Sequence, residues 1–183
     1  MTAVDNLKGL RDFVEKEVAN TFRLRKEALS TEEPEFVHPY VALISLPHKN
    51  FMPVDFQVPY ILIGMVNDND AADEHTLSIR MQFATFGGEV MFNDWAVRIP
   101  TGIPQEAMAA KIPDSSGYID LLNLMERTKE RLINHPVIKG GGIAVKPFTS
   151  GIYDEQVTYP YWYGYMTFDL QIPVTQRQML EFL

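Results

Sequence analysis

The chain has 183 residues, 46% hydrophobic and 22% charged, with a formal net charge of −8 and no cysteine. That length holds one domain with a real core, and the composition is that of an ordinary globular protein. The lack of cysteine excludes disulfide scaffolds, cysteine-ligated zinc, iron–sulfur clusters and thiol nucleophiles. The acidic balance lacks the clustered Lys and Arg with which a duplex binder neutralises phosphates. Basic residues are dispersed apart from Arg23-Leu24-Arg25-Lys26 and Arg127-Thr128-Lys129-Glu130-Arg131, and the second group reads as the solvated end of a helix. Lys8, Arg11, Asp12 and Glu15 interrupt any secretory apolar stretch, and no run is long enough to span a bilayer. Assembly in a cytoplasm, without a membrane, is the expectation.

In chain order, residues 5 to 29 predict a helix, because Val4, Leu7, Leu10, Val14, Val18 and Thr21/Phe22 recur at spacings of three and four. Phe13 widens that stripe, Gly9 weakens it by about 1 kcal/mol relative to Ala, and Glu32-Glu33-Pro34 ends it. Val41–Leu46 and Gln57–Val66 are apolar runs suited to strands, the second with Pro59 near its start. Asn67–His75 reads as a polar turn. Thr76–Thr85 then alternates, with Leu77, Ile79, Met81 and Phe83 inward and Ser78, Arg80, Gln82 and Ala84 outward. Two strands about a turn predict a hairpin.

Gly87-Gly88 opens a less regular stretch, in which Val90, Phe92, Trp95, Val97 and Ile99 flank Asn93-Asp94 as a small second hairpin. N-cap candidates at Asp114–Gly117 precede a helix from Tyr118 to Asn134, with Leu121, Leu122, Met125, Leu132 and Ile133 as its apolar face, Thr128 on the same line, and Pro136 as its stop. Lys139-Gly140-Gly141-Gly142 predicts a turn into a strand at Ile143–Thr149. In the long strand Tyr159–Pro173, Trp162, Met166, Phe168, Leu170 and Ile172 take one face, with Gly164 among them. Tyr161, Tyr163, Tyr165, Thr167, Asp169 and Gln171 take the other. Thr175–Leu183 could form a short helix. The order favours an α+β fold: a mostly antiparallel sheet of four or five strands, two helices packed on one face, and an inserted hairpin.

Chemistry has little purchase here. The glycine run at 139–142 lacks the Gly-Lys-Ser/Thr of a phosphate loop and follows a helix instead of preceding one. Asp68, Asp70, Asp73 and Glu74 depart from calcium-loop spacing. His38, His48, His75 and His135 show no metal-ligand spacing, and no Gly-x-Ser-x-Gly elbow occurs. The expectation is no catalytic residue, no cofactor, no metal site and no enzyme activity. The tyrosine face, with apolar bodies and polar tips, suits contact with another protein.

Three segments, Pro59–Asp68, Gly117–Leu132 and Tyr159–Pro173, resemble in sequence and order the tail-terminator-like proteins of long-tailed bacteriophages and prophages. The resemblance spans most of the chain. It implies a single domain over 1–183 and a virion structural protein of the tail, assembled in the host cytoplasm. That protein forms a homo-oligomeric ring, commonly a hexamer, that caps the tail tube and presents a docking surface for the head connector. The partners implied are further copies of the chain, the tail tube protein and a head-completion or connector protein, with DNA passing through unbound. One departure matters. The family carries a short acidic loop between its third strand and second helix, whereas the insertion 87–116 is long and partly apolar. A neck or head–tail adaptor, or another tail component, therefore stays open. So do a small-ligand α+β domain with the tyrosine face lining a pocket, and an adaptor acting transiently during assembly. Val90, Met91, Phe92, Trp95 and Val97 are too apolar for a solvated loop. With Tyr161, Tyr163 and Tyr165 they are the expected inter-subunit contacts, the insertion serving as an arm.

Overall fold

The computed structural model describes residues 2–27, 35–43, 58–71, 74–87, 89–90, 112–113, 116–153 and 160–173. The elements are α1 (Ala3–Glu17), a 3-10 turn (Ala19–Thr21), β1 (Leu24–Arg25), β2 (Phe36–Val37), β3 (Tyr40–Leu43), β4 (Tyr60–Asp70), β5 (His75–Phe86), β6 (Glu89–Val90), β7 (Ile112–Pro113), α2 (Ser116–Asn134), β8 (Ile143–Ile152) and β9 (Tyr161–Ile172). The expected Thr175–Leu183 helix lies outside the described residues.

Five strands form the central sheet in the order β3-β4-β5-β9-β8. β3 runs parallel to β4, and every other pair is antiparallel. Both helices supply the same core, in which Leu10 and Val14 of α1 and Leu121, Leu124 and Leu132 of α2 join Ile61, Ile63, Leu77, Ile79, Met81, Met166 and Leu170. The α+β reading with two helices on one sheet face therefore holds.

Helix α1 opens on a capping box: Thr2 Oγ1 accepts from Asp5 N at 3.2 Å while Thr2 N donates to Asp5 Oδ2 at 3.1 Å. It stops at Glu17, well short of the expected residue 29. Val18 leaves helical geometry, with φ −121 and ψ −70, and Thr21 Oγ1 donates to its carbonyl at 2.7 Å. Val18 stays buried, so the apolar spacing continues after the helix has ended. Gly9 has a use that propensity hides, because a Cβ there would lie 1.6 Å from the Lys139 carbonyl oxygen. The expected 139–142 turn packs directly on α1, with Gly140 at φ 112 and Gly141 at φ 81.

The β4–β5 hairpin is confirmed, but its turn is shorter than expected. Asn67–Asp70, read as part of a polar turn, belong to β4 and pair with His75–Ser78. Pairing with β5, itself held on its far side by β9, overrides the weak strand propensity of Asn and Asp. A bulge at Val66 separates this end from the rest of the strand.

The face of α2 also differs. Leu121, Met125 and Leu132 are buried as expected, and so is Thr128, whose hydroxyl donates to the Leu124 carbonyl. Leu122 is 39% exposed and Ile133 37%, while Leu124 is fully buried. The buried line runs 117, 121, 124, 125, 128, 132, which puts 122 and 133 on the flank, roughly 110–130° round a 3.6-residue helix.

Candidate interaction surface

The same alternation that sends Met166, Phe168 and Leu170 into the core sends Tyr161, Tyr163 and Tyr165 to the sheet face away from the helices. Register places Tyr60 and Tyr163 on either side of Ala84, and Tyr161 opposite Phe86. These residues, with Val58, form a second apolar cluster separate from the main core. Ala84 was expected to face outward. It does point to that face, but its two tyrosine neighbours bury it completely. Tyr161 and Tyr163 rings stack at 6.4 Å, and Phe86 meets Tyr161 edge-on at 5.5 Å. Further along the face, the Tyr165 ring lies over Gly151 and 5.2 Å from the Tyr153 ring.

Two charged groups close one end of this row. The segment after the 3-10 turn pairs Leu24 with Val37 and Arg25 with Phe36, and Glu27 N donates to the Val58 carbonyl at 3.0 Å. The Arg25 guanidinium then sits 5.8 Å from the centre of the Phe86 ring, a cation–π geometry. The Tyr161 hydroxyl donates to Glu27 Oε1. Burial, with the nearby Tyr163 and Glu27, pushes the Tyr60 phenol up to about 12. Burial and then the Glu27 bond raise Tyr161, and burial and then Glu27 raise Tyr163. All three remain neutral hydrogen-bond donors at physiological pH.

The neck of the insertion lies at the same end of the sheet. Gly87 N donates to the Pro160 carbonyl at 2.8 Å, and the buried Thr85 hydroxyl donates to the Gly117 carbonyl at 2.6 Å. A Cβ on Gly117 would come within 2.4 Å of Gly87 N, so the entry and exit of the insertion touch. Val90 pairs with Ile112, and the remainder of the expected hairpin, residues 91–99, lies outside the described residues. A ribbon at the insertion's base is thus built from its two ends. Met91, Phe92, Trp95 and Val97 lie outside the described residues.

Of the expected contact residues, the structure brings Tyr161, Tyr163 and Tyr165 onto one face. Sequence reading missed Arg25, Glu27, Tyr60, Phe86 and Tyr153. Strand patterning could have given Tyr60, but nothing local joins Glu27 to a tyrosine 134 residues away. Elsewhere, His75 Nε2 lies 2.7 Å from Asp68 Oδ1, and Glu74 Oε1 accepts from Thr76 and Gln171, so these acidic groups serve the hairpin. Among the described residues no group of three or more His, Asp or Glu side chains could hold a metal ion. No helix among them is long and apolar enough to cross a membrane. No family model matches the chain, and no curated protein matches it.

Proposed function

We propose that the chain is a structural protein of a long-tailed phage or prophage tail, forming a homo-oligomeric ring that caps the tail tube and receives the head connector. The observation that carries the reading is the tyrosine face: Tyr60, Tyr161, Tyr163 and Tyr165 lie half-buried on one side of a sheet whose other side two helices seal. Side chains with apolar bodies and polar tips gain from desolvation and still satisfy their hydroxyls, which is the composition of a protein contact surface. In this reading the tyrosine face and the insertion segment Val90–Val97 meet neighbouring copies. The −8 charge of each copy favours passage of DNA through the ring over its retention.

Electron micrographs of tails assembled with and without the protein test this reading. Tails with it end in a defined ring at uniform length, and tails without it overgrow or fail to join heads. Uniform, head-joined tails in its absence overturn the proposal. Replacing Phe92 and Trp95 with Ser is expected to abolish ring formation and leave the folded monomer intact. A small-ligand reading draws support from Glu27 set among tyrosines. A clean monomer in solution that binds an amine at that carboxylate would favour it.

A further inference from the structure

We infer that copies of this chain join edge to edge, the β8 edge of one copy pairing antiparallel with the outer end of β4 in the next, so that one sheet continues through the assembly. The inference rests on the proposed self-assembly but not on the tail role.

Both edges are open among the described residues. β3 covers Tyr60–Ile63 of β4, and among the described residues Gly64–Asp70 have no neighbour on that side. Tyr40 N donates to the Pro59 carbonyl, so β4 directs the main-chain groups of 59, 61 and 63 toward β3. Beyond the bulge the ladder with β5 pairs Asn67 with Ser78 and Asn69 with Thr76. By the alternation of an antiparallel ladder, Asp68 and Asp70 aim their N–H and C=O groups outward. On the opposite side, Tyr153 N donates to the Tyr163 carbonyl, and the same alternation aims Ser150 and Ile152 outward. The start of β8 is already occupied, since Ala144 N donates to the Pro136 carbonyl. Pro147 and the irregularity between Val145 and Thr149 close the middle. The usable edge of β8 is therefore Thr149–Ile152.

Three features make these two edges partners of each other. The first is polarity: β4 and β8 run in opposite directions across four antiparallel strands, so a copy added head to tail meets its neighbour antiparallel. Ser150 shares the row of Met166 and Asp68 that of Leu77, so both belong to the helix side and the layers stay aligned.

The second is stagger. Ser150 is level with Met81 of β5, and Asp68 with Leu77. Seating one on the other shifts each copy along the strands by about 13 Å, over a four-strand width of about 19 Å. The slope is about 35°, the strand tilt that closure of a sheet requires.

The third is charge. Two β4 edges meeting about a two-fold axis would set Asp68 and Asp70 against their own copies, an unfavourable like-charge pairing. Pairing Ser150 with Asp68 instead runs Asp70 toward the exposed Lys146. Tyr153 and Tyr165 border this edge, so an incoming β4 extends the tyrosine face.

The natural absence of cysteine allows a direct test. Asp68→Cys, Ser150→Cys and the double variant are treated with a short bis-maleimide and run on a denaturing gel, beside native mass spectrometry of the untreated full chain. The double variant is expected to give a ladder of multimers extending beyond the dimer, and each single variant to remain a monomer. A dimer from either single variant means a two-fold contact and overturns the inference. So does a monomeric double variant in a preparation whose native mass is multimeric, which leaves the ring reading standing on another surface. A native mass of one copy at every concentration overturns both. Ser150→Pro removes only an outward N–H and is expected to lower assembly at least tenfold with an unchanged unfolding midpoint. Unchanged assembly in that variant counts against the edge.

Discussion

The two faces of the central sheet come from the same strands and are held by different physics. On β9, Met166, Phe168, Leu170 and Ile172 go under two helices and are at most 5% exposed. Tyr161, Tyr163, Tyr165, Thr167 and Asp169 alternate with them and remain half-open. The helix face is governed by volume: Gly164 admits Met125, whose sulfur would lie 2.6 Å from a Cβ there, and Gly9 admits the Lys139 carbonyl. The tyrosine face is governed by a few polar tips, with Glu27 and Arg25 brought over its end by the chain after α1. One face specifies the fold. The other adds a smaller cluster around Ala84 and leaves tyrosine rings half-open beyond it.

Substitutions separate these two regimes, and the largest effects belong to the helix face. Leu121→Ala and Leu124→Ala are each expected to destabilise by about 2–5 kcal/mol as truncations of fully buried side chains. Leu122→Ala, three-eighths exposed and on the flank of the helix, is expected to stay within about 0.5 kcal/mol. Denaturant unfolding of the three variants checks the assignment, and a large loss at Leu122 would put the helix face back where periodicity first suggested.

Gly9→Ala comes next. Helix propensity alone favours Ala by about 1 kcal/mol. The Lys139 carbonyl stands where the methyl must go, so a net loss of about 1–3 kcal/mol is expected from overpacking. The sign of the change in unfolding midpoint decides between propensity and packing.

On the tyrosine face a single change costs less. Tyr161→Phe removes the donor to Glu27 and is expected to cost about 1–2 kcal/mol, since a partly buried carboxylate loses a charge-assisted bond. The same face gives the molecule an alkaline limit. Tyr60 and Tyr161 have phenols raised above the ordinary 10.0 by burial and their neighbours, so they ionise earlier in the unfolded chain. Their contribution is complete below the unfolded value and disappears as pH rises from there through the folded values, about 12 for Tyr60. Unfolding midpoints are expected to fall above about pH 10, and to fall less in Tyr60→Phe. A flat profile over that range would mean the cluster is open to water.

The sheet was legible in the sequence wherever burial is one-sided. Alternation in β5 and β9 fixes which residues enter the core, because a one-residue slip would expose the whole set. It was less legible where two signals compete. Leu122 and Ile133 extend an apolar pattern on α2, but the narrow line through Leu124 and Thr128 meets the sheet. Asn67–Asp70 look like a turn and are strand, since their partners on β5 are anchored by β9. Val18 and Phe22 keep the helical spacing after α1 has ended. The part of the tyrosine cluster that comes from Glu27 and Arg25 depends on contacts between distant segments, which no local pattern records.

Sedimentation velocity of the wild-type chain beside the Tyr153→Ser/Tyr165→Ser variant tests the central claim most directly, that the sheet face away from the helices exists for contact between copies. Both residues lie at the open margin of that face, clear of the buried cluster around Ala84. The wild type is expected to sediment as one discrete multimer and the variant as a monomer with the same denaturant midpoint. A wild type that stays monomeric at every concentration, or a variant that assembles as well as the wild type, would contradict the account.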